Sequence, residues 1–175
     1  MHDTKVKAVS DIERHTLTVL VDNEAGVLAR VVGLFSGRGY NIESLTVAEV
    51  DPMARTSRIS IVTSGTPQVI EQIETQLRRL VPTHKVTNWT SAKAGIEREM
   101  ALIKVAGTGE KRVEALRMAD AFRARPVDTT QSSFVFEITG SPAKIDSFVD
   151  LMRPLGLVDV SRTGVAAISR GPEAM

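Results

Sequence analysis

From residue 15 the chain alternates. Leu17, Val19 and Val21 are separated by Thr16, Thr18 and Leu20, the two-residue period of a strand with one face on a core, over about 15–21. The period then changes. Val27, Leu28, Val31, Val32 and Phe35 recur at three- and four-residue steps and predict an amphipathic helix over about 26–38, ended by Gly37 and Gly39. A second strand is expected over 41–50 and a turn at Asp51-Pro52-Met53-Ala54, where proline fixes φ and aspartate bonds its own backbone. Ile59 and Ile61 alternate with polar neighbours in a third strand, 57–63. Thr66 as cap and Pro67 at the first position open a helix carrying Val69, Ile70, Ile73, Leu77 and Leu80 at the helical step. Pro82 closes it, and 86–90 reads as a fourth strand.

Strand, helix, strand, strand, helix, strand is the order of the ferredoxin-like arrangement, two helices on one face of a four-stranded antiparallel sheet. The small, polar stretch Ser91-Ala92-Lys93-Ala94-Gly95 reads as a linker. The same order then returns: a strand over 99–106, a helix over about 110–125, a short strand over 127–130, and a strand over 133–139 alternating Phe134, Phe136 and Ile138. Ser141-Pro142 starts a helix with Ile145, Phe148, Val149 and Met152 inward, and 157–161 closes the unit. It is a repeat of pattern, not of sequence. The fold class is α+β, two βαββαβ domains.

Composition adds boundaries to this picture. At 175 residues, 42% hydrophobic and 25% charged, the chain has ordinary globular content and room for one domain or two small ones. No run approaches the roughly 18 apolar residues of a membrane span, and the polar start, Met1 to Ser10, lacks the apolar core of a signal peptide. With no cysteine there is no disulfide or thiolate chemistry, and nothing points outside a reducing cytoplasm. Residues 1–95 carry 11 Lys+Arg against 10 Asp+Glu, and residues 96–175 carry 11 against 11, so neither half offers a basic face to nucleic acid. Arg78-Arg79 reads as a solvated last helical turn that complements the dipole. The RNA-binding version of this fold stacks bases on aromatics of its two central strands, and 16–21 and 57–63 contain none.

Catalytic groups are few. His2, His15 and His84 stand at no metal-ligand spacing, Gly107-Thr108-Gly109 lacks the third glycine of a dinucleotide fingerprint, and no acid–base pair stands out. The expectation is no catalytic and no metal site. Chemistry is sought instead in the loop before the first helix, Asp22-Asn23-Glu24-Ala25-Gly26. A helix start leaves backbone N–H groups unpaired and carries partial positive charge, which suits a carboxylate or phosphate. Gly26 lets a ligand approach the backbone, and Asn23 offers a donor and an acceptor. The plainer alternative is that Asn23 caps the helix and Gly26 permits the turn.

The run Asp22-Asn23-Glu24-Ala25-Gly26-Val27-Leu28-Ala29-Arg30-Val31, continued by Gly33-Leu34-Phe35-Ser36 and Arg38-Gly39-Tyr40-Asn41-Ile42-Glu43-Ser44-Leu45, resembles the small regulatory subunits of acetolactate (acetohydroxyacid) synthase, whose first half is an ACT domain, an amino-acid-sensing module. Glu97-Arg98-Glu99-Met100-Ala101-Leu102-Ile103-Lys104-Val105 and the ending Ser161-Arg162-Thr163-Gly164-Val165-Ala166-Ala167-Ile168-Ser169-Arg170-Gly171 extend the likeness. It covers roughly 14–171, strongest to about Thr90, with an ACT domain at 14–90 and a second ferredoxin-like domain at 96–171; the polar start before Arg14 departs from it.

The resemblance implies a regulator and not an enzyme. It implies a large catalytic partner holding thiamine diphosphate, FAD and magnesium, which makes acetolactate or acetohydroxybutyrate from pyruvate, with no cofactor in this chain. The small subunit raises that activity and confers feedback inhibition by valine, in some members by leucine or isoleucine, as a homodimer with the effector between ACT domains. Carried onto this chain, the effector residues are Asn23 and Gly26 of one copy and Asn41 and Ile42 of the other. The effector carboxylate is expected on the N–H groups around Gly26 and Val27, and its side chain on Ile42 and Leu28. Rival functions are an ACT-type regulator of another amino-acid enzyme or of transcription, the latter without a helix-turn-helix, and a free-standing enzyme without a catalytic constellation.

Overall fold

The structure, a computed structural model, describes residues 11–92 and 95–175. The chain divides into two units, one reaching Ala94 and including Gly171–Met175, the other Gly95–Arg170.

In the first unit the strands β1 (Glu13–Asp22), β2 (Ser44–Asp51), β3 (Thr56–Gly65) and β4 (Thr83–Asn88) form one antiparallel sheet in the order β2-β3-β1-β4. Helices α1 (Val27–Arg38) and α2 (Pro67–Arg79) cover one face of it. Alternation and helical period meet there: Leu17, Val19, Val21, Ile59 and Ile61 pack against Val27, Val31, Phe35, Ile70, Ile73 and Leu77, all buried. Each such side chain contributes roughly 1.5–3 kcal/mol by leaving water. α1 closes with Gly39 at φ 69° while the Tyr40 N–H reaches back to the Phe35 carbonyl (3.0 Å). That left-handed turn suits glycine. α2 starts as expected, with Thr66 accepting from the Val69 N–H and Pro67 at the first position.

Four sequence expectations shift. Asn41 and Ile42 lie in the loop before β2 and not within the strand, because the Asn41 carbonyl accepts the Thr63 hydroxyl (2.6 Å) and ladder pairing starts with the Glu43 N–H to the Val62 carbonyl (2.8 Å). β4 ends at Asn88, and Trp89–Ala92 forms a short helix, α3, where a strand end and a linker were expected. The Asn88 side-chain oxygen accepts the Ser91 N–H and turns the chain there. Buried Trp89 donates its indole N–H to Thr18 (2.7 Å), so Thr18 on the non-helical face of β1 is buried as well. Of the expected linker, Lys93 and Ala94 lie outside the described residues, as does the start of the chain, residues 1–10.

The second unit repeats the order with β5 (Gly95–Ala106), α4 (Gly109–Ala121), β6 (Arg125–Thr129), β7 (Ser133–Gly140), α5 (Pro142–Gly156) and β8 (Leu157–Arg162), its sheet running β6-β7-β5-β8. The third shift is the end of α4, four residues before the expected end. Arg123 is left-handed (φ 57°) and the Ala124 N–H returns to Ala119 (2.8 Å), a closure that a glycine-free stretch does not announce. The fourth is an added strand, β9 (Ala166–Ser169), on the first residues of β5. Ile145, Phe148, Val149 and Met152 face inward as their spacing indicates. Buried Glu99 on β5 receives both Nε (2.6 Å) and Nη2 (2.7 Å) of Arg162 on β8, and Asp146 takes Nη1 (2.6 Å), which ties α5 to the sheet edge. The hydrogen bonds it donates to Glu99 hold Arg162 protonated more firmly than an ordinary arginine, with Asp146 adding to them against the effect of burial.

Candidate functional site

The loop between β1 and α1 is shaped by backbone bonds on both flanks. Asp22 donates its N–H to the Pro82 carbonyl (3.2 Å) and its carboxylate meets His84 Nε2 at 2.5 Å. On the other side the Asn23 N–H donates to the Arg55 carbonyl (2.7 Å). Arg55 is left-handed (φ 50°) at the end of the β2–β3 turn, where Asp51 Oδ1 accepts the Met53 and Ala54 N–H groups (3.0 Å each). The turn read at Asp51-Pro52-Met53-Ala54 therefore forms, and its closure aims the Arg55 carbonyl at Asn23.

Gly26 precedes α1 in the left-handed region, φ 87°. A Cβ there would meet nothing within 4 Å, so the space over the helix start is open. No side chain caps α1, and its first backbone bond runs from Arg30 to the Gly26 carbonyl (3.0 Å), leaving the N–H groups of Leu28 and Ala29 without a partner inside the helix. The capping alternative for Asn23 is thereby removed, because its side-chain amide donates to Glu49 Oε1 on β2 (2.9 Å) instead. Leu28, one residue into the helix, is 41% exposed, so it faces solvent beside the open backbone and not the core, where its spacing had placed it. Val27 is a core residue, so its side chain is not open to a ligand.

Asn41 and Ile42 are elsewhere. They precede β2, next to Thr63 near the end of β3, while Asn23 follows β1 at the end marked by the Asp22–Thr56 pair. Seven residue steps along β3 separate Thr56 from Thr63, about 23 Å at 3.3 Å per residue. One chain thus brings Asn23, Gly26 and Leu28 together at one end of the sheet, and Asn41 and Ile42 together at the other. Asn41 is exposed, and Ile42 packs partly on the core. Glu43 secures this second end, accepting from the Ser64 hydroxyl and from Arg14 Nε (2.8 Å). The Ser64 bond, with the bond and charge of Arg14, lowers the pKa of Glu43 below its ordinary 4.5 against a smaller effect of burial.

Two features of the site were not legible in the sequence. Glu49 and Arg55, which hold Asn23, lie more than 25 residues away in the chain, and only strand pairing makes them neighbours. Outside the loop, the described residues hold no group of three or more His, Asp or Glu able to bind a metal ion. A groove at the start of α4 is rimmed by Glu110, Lys111, Glu114 and Arg117, charges on an open helix surface without an acid–base pair at its floor.

A family model described as the small subunit of acetolactate synthase matches residues 98–171, and one described as an AHAS small subunit-like ACT domain matches residues 17–85. The chain is 47% identical over 160 residues to a probable acetolactate synthase small subunit of Archaeoglobus fulgidus, covering 90% of this chain and 98% of that one. It is 43% identical to the acetolactate synthase isozyme 3 small subunit of Escherichia coli, covering 93% and 99%. The crystal structure of the acetolactate synthase small subunit from Thermotoga maritima superposes with a TM-score of 0.79 at 36% identity, covering 92% of this chain and 99% of that one.

Proposed function

The chain belongs to the acetolactate synthase small-subunit family, with an ACT domain in its first half, and from that premise we propose that it activates a catalytic subunit and makes it sensitive to valine. A small subunit of this enzyme is its regulatory, non-catalytic part. Thiamine diphosphate, magnesium and FAD belong in this reading to the large subunit, in the cytoplasm, and none of the described helices is long and apolar enough to cross a membrane.

One observation carries the effector reading. The residues assigned to the two half-sites lie at opposite ends of a sheet whose edge strand, β2, pairs among the described residues with β3 alone. Residues 47–51 of that edge are exposed. If β2 of one chain pairs antiparallel with β2 of a second copy about a two-fold axis, the start of each strand meets the end of the other. Asn41 and Ile42 of one copy then approach Asn23, Gly26 and Leu28 of the other. Every pocket needs both chains, and two pockets form per dimer.

In such a pocket the valine carboxylate meets the N–H groups at the α1 start, where the helix dipole favours negative charge. Leu28 and Ile42 receive the branched side chain. Inhibition follows from a difference in affinity: a ligand that bridges two chains favours the dimer geometry in which it fits, and the catalytic partner is controlled only as far as that geometry binds it differently. The test is to purify the chain with its catalytic subunit and measure acetolactate formation from pyruvate with and without valine. Expected are no turnover by this chain alone, higher turnover by the pair than by the catalytic subunit alone, and inhibition by valine of the pair only. Turnover by the isolated chain, or equal valine sensitivity of the catalytic subunit alone, overturns the reading.

A further inference from the structure

Resting on the effector reading above, we propose that Glu49 is part of the effector site and makes it select a ligand with an ammonium group, an α-amino acid over the 2-oxo acid of the same side chain.

The starting point is the Asn23 side chain. Its amide nitrogen donates to Glu49 Oε1 at 2.9 Å, and an ionised carboxylate is acceptor-only, so the nitrogen must be the atom turned toward Glu49. The backbone of Asn23 is held at the same time by its bond to the Arg55 carbonyl (2.7 Å). With the nitrogen on Glu49, the Asn23 carbonyl oxygen remains as an acceptor beside the pair, and the NH2 keeps its second hydrogen. Beside that oxygen stands the Glu49 carboxylate, whose Oε2 lies in no ion pair among the described residues, Glu49 being exposed on the edge strand. Two acceptors, one of them charged, read a cationic donor.

The α1 start has the opposite polarity. Its uncapped N–H groups and the open space over Gly26 read an anion. One loop thus shows acceptors at Asn23–Glu49 and donors at Leu28 and Ala29, the pattern that matches the two charged ends of an amino-acid zwitterion. A ligand with a carboxylate but no ammonium satisfies the helix end, leaves the two acceptors without a donor, and meets the repulsion of Glu49. Glu49 also lies at the end of β2 that antiparallel edge pairing brings to the partner's Asn41, so its charge faces the shared pocket. The chemical consequence is a regulator that responds to an amino acid and stays indifferent to its 2-oxo acid, the compound from which transamination makes it.

Calorimetric titration of the full chain with valine, with its 2-oxo acid and with 3-methylbutanoate tests this. Wild type binds valine and binds the two amine-free acids at least about tenfold more weakly, the step that 1.4 kcal/mol sets. Glu49→Gln keeps an acceptor for Asn23 and removes the charge. It weakens valine about fivefold, the equivalent of roughly 1 kcal/mol for unit charges 4 Å apart in water. It leaves the amine-free acids unchanged or tighter, and the valine difference shrinks with added salt. Thermal unfolding of Glu49→Gln serves as the control for folding. If wild type binds valine and Glu49→Gln binds it equally, or if the amine-free acids bind wild type as tightly as valine, the role of Glu49 is refuted while the effector reading stands. If wild type binds none of valine, leucine and isoleucine, the effector reading falls and this inference falls with it.

Discussion

A pocket divided between two chains has a consequence that a pocket within one chain does not. Asn23 and Asn41 sit at opposite ends of the sheet, about 23 Å apart along β3 at 3.3 Å per residue, too far for one small ligand. Asn23→Ala and Asn41→Ala homodimers should each lose most valine binding. A polar ligand group left unpaired in a desolvated pocket costs roughly 1–3 kcal/mol, or about five- to 150-fold in Kd. Neither substitution should unfold the chain. Asn23 bonds Glu49 through an exposed side chain, and Asn41 is anchored by its backbone carbonyl, which alanine keeps. Exposed sites of this kind usually change stability by no more than about 0.5 kcal/mol.

The two mutant proteins are then mixed and left to exchange chains. A mixed dimer has one pocket lacking both amides and one pocket with both restored. At full exchange half the dimers are mixed, so about one pocket in four regains wild-type affinity, as two-fold symmetry requires. Calorimetry reads this as a return of tight binding at a stoichiometry near a quarter of wild type. Were both amides in the same chain's pocket, every pocket in the mixture would still carry one defect. Absence of a tight-binding fraction, with chain exchange verified by a mass-tagged copy, refutes the shared pocket.

Three further outcomes are expected. Gly26→Asp should abolish valine inhibition while leaving activation of the catalytic subunit largely intact, since the new carboxylate repels the ligand's own by about 1 kcal/mol at 4 Å even in water; Gly26→Ala, which carries the left-handed strain of about 1–2 kcal/mol without the charge, separates the two effects in the same inhibition assay. Because the pKa of Glu43 is lowered on folding, its contribution to stability is full above its ordinary 4.5 and is lost as pH falls through the folded value. Denaturant midpoints measured from pH 7 to pH 3 should accordingly fall less steeply for Glu43→Gln than for wild type, and equal slopes would refute the assignment. Gly156→Ala should destabilise the second unit by about 3 kcal/mol or more, because its Cβ would lie 1.9 Å from the Ala106 carbonyl oxygen at a backbone φ of 105°; a thermal melt unchanged from wild type would contradict that packing.

Periodicity determined the βαββαβ order of both units but not the added α3 and β9, because the core strands and helices bury one face and the buried positions repeat at the step of the element: Leu17, Val19 and Val21 in β1, and Ile145, Phe148, Val149 and Met152 in α5. Local chemistry also showed through in the Thr66 and Ser141 caps and in the Asp51 turn, whose hydrogen bonds span three residues or fewer. What the sequence left undecided depended on atoms distant in the chain. That Asn23 does not cap the helix was decided by Glu49, brought next to it by the β2–β3–β1 pairing. Leu28 fits the helical stripe as well as Val27 does, yet only packing against the sheet decides which of the two is covered. The turn at Trp89 and the early end of α4 rest on a buried indole bonded to Thr18 and on a left-handed arginine, and neither leaves a glycine or a period to read. Composition and spacing specify which face of an element is buried; what meets an exposed polar group is decided by tertiary contacts, since those partners are neighbours only after the chain has folded.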